Sequence, residues 1–337
     1  RKHPALRIDG HYIEGIGTQR NVLTRWSDKA WAFTWDEKLE NAYVHLAQRI
    51  QVWRREDPNA EINIIAAGYS RGAVLAAGLT RLVDRFGIAD PDQLSFGRDA
   101  QGNVTVRSPR PPLVAPGQAA QVVVLYDPVG TGFPAQYDAR LPPSVIGGTA
   151  FVAMDERRSA FAHLAILDPG LSADRRFANL PVPGGHSNAG GGNRDAGLEA
   201  GTFNLSVDYL NAVAGRDLFR YRTLPDDPSR YTAYQVRGVT AVPGLDGDGV
   251  RDLREQLANC KVVDPCRDSE GVDERLASRF EFRPVQVRAP VPTAAQLGRA
   301  EPRHASHAPV QRERAEHPEY PLLQQIRRGV EALDRSA

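Results

Sequence analysis

Ile62-Asn63-Ile64-Ile65-Ala66-Ala67-Gly68-Tyr69-Ser70-Arg71-Gly72-Ala73-Val74-Leu75 is the stretch on which the fold turns. Residues 62–67 form a short apolar run, suited to a strand buried on both faces. From Ala73 to Phe86 the spacing is helical, with Leu75, Leu79, Leu82 and Val83 on one side and Gly87 as the stop. Between the two lies Gly68-Tyr69-Ser70-Arg71-Gly72. A Gly-x-Ser-x-Gly turn joining a strand to a helix is so tight that the serine is held in strained backbone geometry, its hydroxyl exposed above a sheet. Small residues are expected at both Gly68 and Gly72, where strand and helix approach closely. The Arg71 amide, at the helix N-terminus, is placed to donate to an oxyanion.

Outward from this turn, residues 26–56 read as a helix, since Leu39, Tyr43, Leu46, Ile50 and Trp53 recur at three- and four-residue steps until Pro58-Asn59 breaks the pattern. Residues 97–119, rich in Gly, Pro and polar groups, read as an excursion. Val122-Val123-Val124-Leu125-Tyr126 is a second buried-type strand ending at Asp127-Pro128-Val129-Gly130. Residues 149–154 read as a third, leading into Asp155-Glu156-Arg157-Arg158. A glycine-rich loop, 184–192, surrounds His186, and Leu198 to Val213 reads as a helix. Strands alternating with helices predict an α/β fold, α/β-hydrolase-like: a mostly parallel sheet with helices on both faces, plus irregular C-terminal additions.

Bulk properties exclude several classes. The chain has 337 residues with a formal net charge of +1, so nothing in its overall charge favours nucleic acid or anionic membrane. No apolar run approaches the roughly 20 residues of a membrane helix. The chain starts at Arg1 with no signal-peptide pattern, which reads as an N-terminus cut from something longer. The two cysteines, Cys260 and Cys266, fit neither zinc nor redox Cys-x-x-Cys spacing. Two unlinked thiols and a small-loop disulfide, which needs an oxidising compartment, both stay open.

A nucleophilic serine needs a base, and the base an orienting acid. Of eight histidines, His3, His304, His307 and His317 lie in terminal or linker-like sequence, and His45 lies in a predicted helix far upstream. His11 precedes the serine, and His163 sits in the apolar setting of a core histidine. His186 follows the serine in a glycine-rich loop, as the order serine, acid, histidine demands. Asp127 lies between them at the carboxyl end of a strand, where open α/β sheets place their working residues. Asp155 is the competing acid, although Glu156, Arg157 and Arg158 beside it read as an ion-pair network.

With these pieces assembled, the chain resembles the bacterial lipase effectors whose catalytic domain carries Gly-Phe-Ser-Arg-Gly-Ala, best known as phospholipases delivered by type VI secretion. Gly68 to Ala73 matches with Tyr69 for Phe, and Asp127-Pro128-Val129-Gly130 is similar to the family's Asp-Thr-Val-Gly. Met154 to Arg158, followed by Phe161, matches a further block. Gly185-His186-Ser187-Asn188-Ala189-Gly190-Gly191-Gly192 resembles Gly-x-His-x-Asp-x-Gly-Gly-Gly, and Gly15-Ile16-Gly17-Thr18 an early motif. The resemblance spans about residues 12–192. It implies a triad of Ser70, Asp127 and His186, and a phospholipid ester as substrate. The chain departs from the pattern at Asn188, where Asp is common, and in lacking the opening strand that ends in Asp-Gly-Thr.

Two features lie beyond this region. His317-Pro318-Glu319-Tyr320-Pro321-Leu322 through Leu333-Asp334 resembles the opening of the recognition domain of Xanthomonas-type type IV secretion effectors. A terminal amphipathic helix is the plainer reading. Gly244 to Glu255 aligns with a calcium loop, placing Asp246, Asp248, Asp252 and Glu255 at ligand positions. Gly244 removes the first carboxylate, so an acidic solvated turn competes and no cofactor is expected with calcium set aside. The expected organisation is a catalytic domain over 1–240, an accessory segment or cap over 241–284, a linker over 285–316, and a secretion-recognition segment over 317–337.

Together these readings predict a secreted antibacterial effector of phospholipase A type. It would be made in the bacterial cytoplasm and delivered to a target-cell periplasm. Its expected partners are the phospholipid membrane, a cognate immunity protein and a coupling component of a secretion machine, with no nucleic acid. The alternatives are a catalytically degenerate module docking to that machine, and an esterase acting on neutral lipids.

Overall fold

A computed structural model of the chain describes residues 6–13, 28–131, 133, 137–156, 158, 161–192, 196–231, 234–235, 271–283, 285, 288 and 303–304. Helix α1 (Asp28–Glu56) leads to strand β1 (Asn63–Tyr69), helix α2 (Arg71–Phe86) and an antiparallel hairpin of β2 (Ser95–Arg98) and β3 (Val104–Arg107). Then come β4 (Ala120–Tyr126), β5 (Val145–Ala153), β6 (Gly170–Leu171), β7 (Phe177–Val182), the short helix α3 (His186–Gly190) and helix α4 (Gly197–Ala214). One further turn of helix, α5, covers Glu274–Ala277. The main sheet runs β1-β4-β5-β7-β6; its first four strands are parallel and β6 is antiparallel. The α/β architecture expected from the sequence is the one observed.

β5 is buried along its whole length, and β4 along all but its last residue, Tyr126, because helices cover both faces. Val123, Leu125 and Val145 pack toward α1 and α2, whereas Val122 and Ile146 pack toward Tyr209 and Val213 of α4 and Leu276 of α5. Side chains alternate between the faces with the period of two that a strand imposes. Helix α1 buries Trp35, Leu39, Tyr43, Ala47 and Ile50, one stripe at helical spacing. Tyr43 pins that helix to the end of α2: its hydroxyl donates to the Gly87 carbonyl at 2.8 Å and accepts from the Ala89 amide at 3.0 Å. At α2's end the Gly87 amide caps the Val83 carbonyl, so Gly87 is the stop.

Several expectations need correction. Strand β1 is not buried on both faces. It stands at the edge of the sheet, with Ile62, Ile64 and Ala66 buried under the helices and Ile65 46% exposed on the other side. The third strand begins at Val145, not 149; Gly147-Gly148 hid its apolar character. The excursion over 97–119 contains most of the β2–β3 hairpin, whose strands of four residues are too short for a periodic signal. Strands β6 and β7 were missed. Strand β7 carries Asn179 and Pro181; the asparagine donates to the Leu167 carbonyl at 2.8 Å, and the proline lies past the two-residue β6 ladder, where β7 is an edge.

Residues 271–283, assigned in sequence to the accessory segment, pack on the sheet. The Asp273 carboxylate caps α5 by accepting the Arg275 and Leu276 amides, and its own amide donates to the Pro143 carbonyl. Among the described residues no helix is long and apolar enough to cross a membrane. The tail 317–337, the calcium-loop residues Asp246, Asp248, Asp252 and Glu255, and both cysteines lie outside the described residues.

Candidate active site

The site is built where the carboxyl ends of β1 and β4 meet. Ser70 closes β1, and its amide donates to the Tyr126 carbonyl of β4 at 2.8 Å. It has φ 59° and ψ −127°, a conformation that L-residues adopt only under constraint. Ser70 is also the N-cap of α2, a position where a serine hydroxyl ordinarily accepts a helix amide. Here it makes no such bond, so the hydroxyl is not engaged in capping the helix.

Gly68 is what lets the turn close: a Cβ there would meet the Gly72 carbonyl oxygen at 2.2 Å. The expectation that Gly72 must be small as well is not met. A Cβ at Gly72 would enter open space, because the close approach involves its backbone and not its side-chain direction. Arg71 begins α2, and partial burial lowers the pKa of its guanidinium.

Asp127 follows β4 directly and is fully buried. It too carries a positive φ, 42°. Its amide donates to the Phe151 carbonyl at 2.7 Å. Its carboxylate accepts the Ala153 amide at 3.0 Å on Oδ1, and its Oδ2 lies 2.6 Å from His186 Nδ1. Of the two acids weighed from sequence, Asp127 is therefore the one that meets the histidine. Asp155 has another task. Its Oδ2 accepts the Gly184 amide at 2.7 Å and its own amide donates to the Gly184 carbonyl, tying the turn after β5 to the histidine segment.

The glycine-rich stretch that reads as a loop is a short helix with His186 at its first position. Four contacts seat it. The His186 amide donates to Glu156 at 3.2 Å, and that carboxylate is gripped by Arg158 at 2.7 and 2.8 Å. Burial pushes the Glu156 carboxyl up, but the Arg158 hydrogen bonds and charge, with the amides it accepts, outweigh this and leave its pKa below the usual value. The Gly185 amide donates to Asn188 Oδ1 at 3.1 Å. That oxygen is one an aspartate would also supply, so the departure at Asn188 leaves the helix held. Tyr69 stacks obliquely on the imidazole, ring centroids 4.5 Å apart, and its hydroxyl shares a hydrogen bond with Ser187. A phenylalanine at 69 could not make that bond. Gly190 makes room for the Tyr69 ring, which a Cβ there would strike at 2.0 Å.

Sequence reasoning missed Phe161 and His163 as parts of this site. The Phe161 and His186 rings meet in a T-shaped contact with centroids 4.9 Å apart, and Arg158 lies over the Phe161 face at 3.6 Å. His163 is buried as expected for a core histidine, but against Asp127. The other described histidines lie elsewhere: His11 stacks on His45 of α1 at 3.3 Å. Among the described residues no cluster of three or more His, Cys, Asp or Glu could hold a metal ion. The arrangement offers a strained serine, an imidazole paired to a buried carboxylate, and a helix N-terminus at the serine.

No protein-family model matches the chain, and no curated protein matches it. Among solved structures it is similar to the Tle1 effector bound to the VgrG spike of the type 6 secretion system, at 19% identity and a TM-score of 0.32 over 50% of this chain. It is also similar to an uncharacterized protein from Pseudomonas aeruginosa, at 15% identity and a TM-score of 0.28 over 75% of this chain. The chain spans 32% of each of those chains, and likenesses this distant carry no argument about activity.

Proposed function

We propose that the chain is a serine ester hydrolase acting on phospholipid acyl chains. The observation that carries this reading is the 2.6 Å contact of His186 with buried Asp127, set beside a serine turn that is both strained and uncapped. Ser70 attacks the acyl carbonyl as His186 removes its proton. Asp127 holds the imidazole tautomer and offsets the charge that forms on the ring. The Arg71 amide at the start of α2 donates to the oxyanion. His186 then returns the proton to the leaving alcohol, and water repeats the sequence on the acyl-enzyme.

Phospholipid as substrate rests on the motif resemblance, as do delivery to a target-cell periplasm, coupling to a secretion machine and an immunity protein that covers the site. The test is fatty-acid release from phospholipid vesicles by the full chain. Ser70→Ala and His186→Ala each abolish it on this reading, whereas full activity in either variant refutes it. Release from neutral lipid emulsions but not from phospholipid vesicles would keep the serine chemistry and change the substrate class.

A further inference from the structure

The Asp127 carboxylate has two sides, and only one belongs to His186. Oδ2 takes the His186 contact; Oδ1 accepts the Ala153 amide and faces the His163 ring, whose Nδ1 is 3.8 Å away. The His163 side chain is 2% exposed and that of Asp127 0%. The segment carrying His163 is stitched to the end of β4: Val129 and His163 form an antiparallel bridge, and the Leu164 amide donates to the Pro128 carbonyl at 2.8 Å. Two residues earlier the same segment sets Phe161 against the His186 ring. It therefore touches both members of the pair. A separation of 3.8 Å is too long for a hydrogen bond, but it puts the two buried side chains in van der Waals contact.

We propose that His163 is a positioning residue of this site. It walls off the second face of Asp127 and, with Phe161, keeps the carboxylate and the His186 ring in register. The inference rests on the hydrolase reading of the site.

The experiment compares the full wild-type chain with His163→Phe and His163→Gln. Two readouts are followed at neutral pH: kcat and KM on phospholipid vesicles, and the downfield proton NMR signal of the His186 Nδ1–H. In both variants kcat falls about tenfold or more while KM stays within about twofold, the pattern of a displaced catalytic group. The His186 signal shifts or broadens. An unchanged His186 signal and an unchanged kcat in both variants overturns the inference. Should His163→Phe fail to fold, the glutamine variant decides alone. Should the wild type release no fatty acid and leave Ser70 unreactive, the hydrolase reading fails; the NMR signal then decides, an unchanged one refuting the placement and a displaced one supporting it.

Discussion

Two non-glycine residues with positive φ, Ser70 at 59° and Asp127 at 42°, end neighbouring parallel strands. Strain at single residues costs on the order of 1–3 kcal/mol and persists where the surroundings enforce it. Ser70→Gly is therefore expected to be more stable than Ser70→Ala by about 1 kcal/mol, read from urea midpoints, since only glycine relieves the turn. The two glycines of the turn should respond with opposite sign. Gly68→Ala forces a Cβ onto the Gly72 carbonyl and costs about 1–3 kcal/mol, whereas Gly72→Ala, with open space ahead of it in a helix, stabilises by up to about 1 kcal/mol. Equal destabilisation by both would contradict the geometry. The serine turn, Asp127 and His186 were legible because each is a polar residue at the end of an apolar run or among glycines. His163 was not, because an apolar sequence neighbourhood does not reveal that the group across the fold is a carboxylate.

At the scale of elements, the histidine helix is held from outside itself. Five residues cannot sustain a helix alone. The tie to Asp155 fixes its entry, and that to Glu156 fixes the amide of His186. Because the Glu156 carboxyl sits below its ordinary value in the fold, its contribution is fully present above the unfolded value, about 4.5, and is lost as pH falls through the depressed folded value. Glu156→Gln should therefore lower stability near neutral pH and flatten its decline in acid, followed by thermal melts from about pH 7 to 3. An acid slope identical to wild type would remove Glu156 from this role. The segment 184–192 was read as a loop because glycine count dominates local propensity, while the side chains that order it, Asp155 and Glu156, lie some thirty positions earlier. Strand β7 escaped for a related reason: Asn179 and Pro181 are tolerated by tertiary partners and an edge, neither of which leaves a periodic trace.

Across the whole molecule, the sheet places the serine strand at one edge and the acid strand next to it, with helices α1 and α2 on one face and α4 and α5 on the other. The parallel sheet between helices follows from alternating strands and helices in the sequence, whereas the edge position of the serine strand does not. The assignments after about residue 240 rest on resemblance and composition. There the expected outcome is that deleting 317–337 leaves purified esterase activity unchanged and removes contact-dependent killing; continued delivery of the truncated protein would reduce the tail to a terminal helix. The central claim, that Ser70 is activated by His186 and Asp127, is tested most directly by labelling the intact chain with a fluorophosphonate probe and mapping the adduct by mass spectrometry. The account predicts a single adduct on Ser70, lost in His186→Ala and slowed by several orders of magnitude, about 10⁴-fold, in Asp127→Asn. An intact, folded chain that leaves Ser70 unlabelled, or labels it equally well without His186, would contradict it.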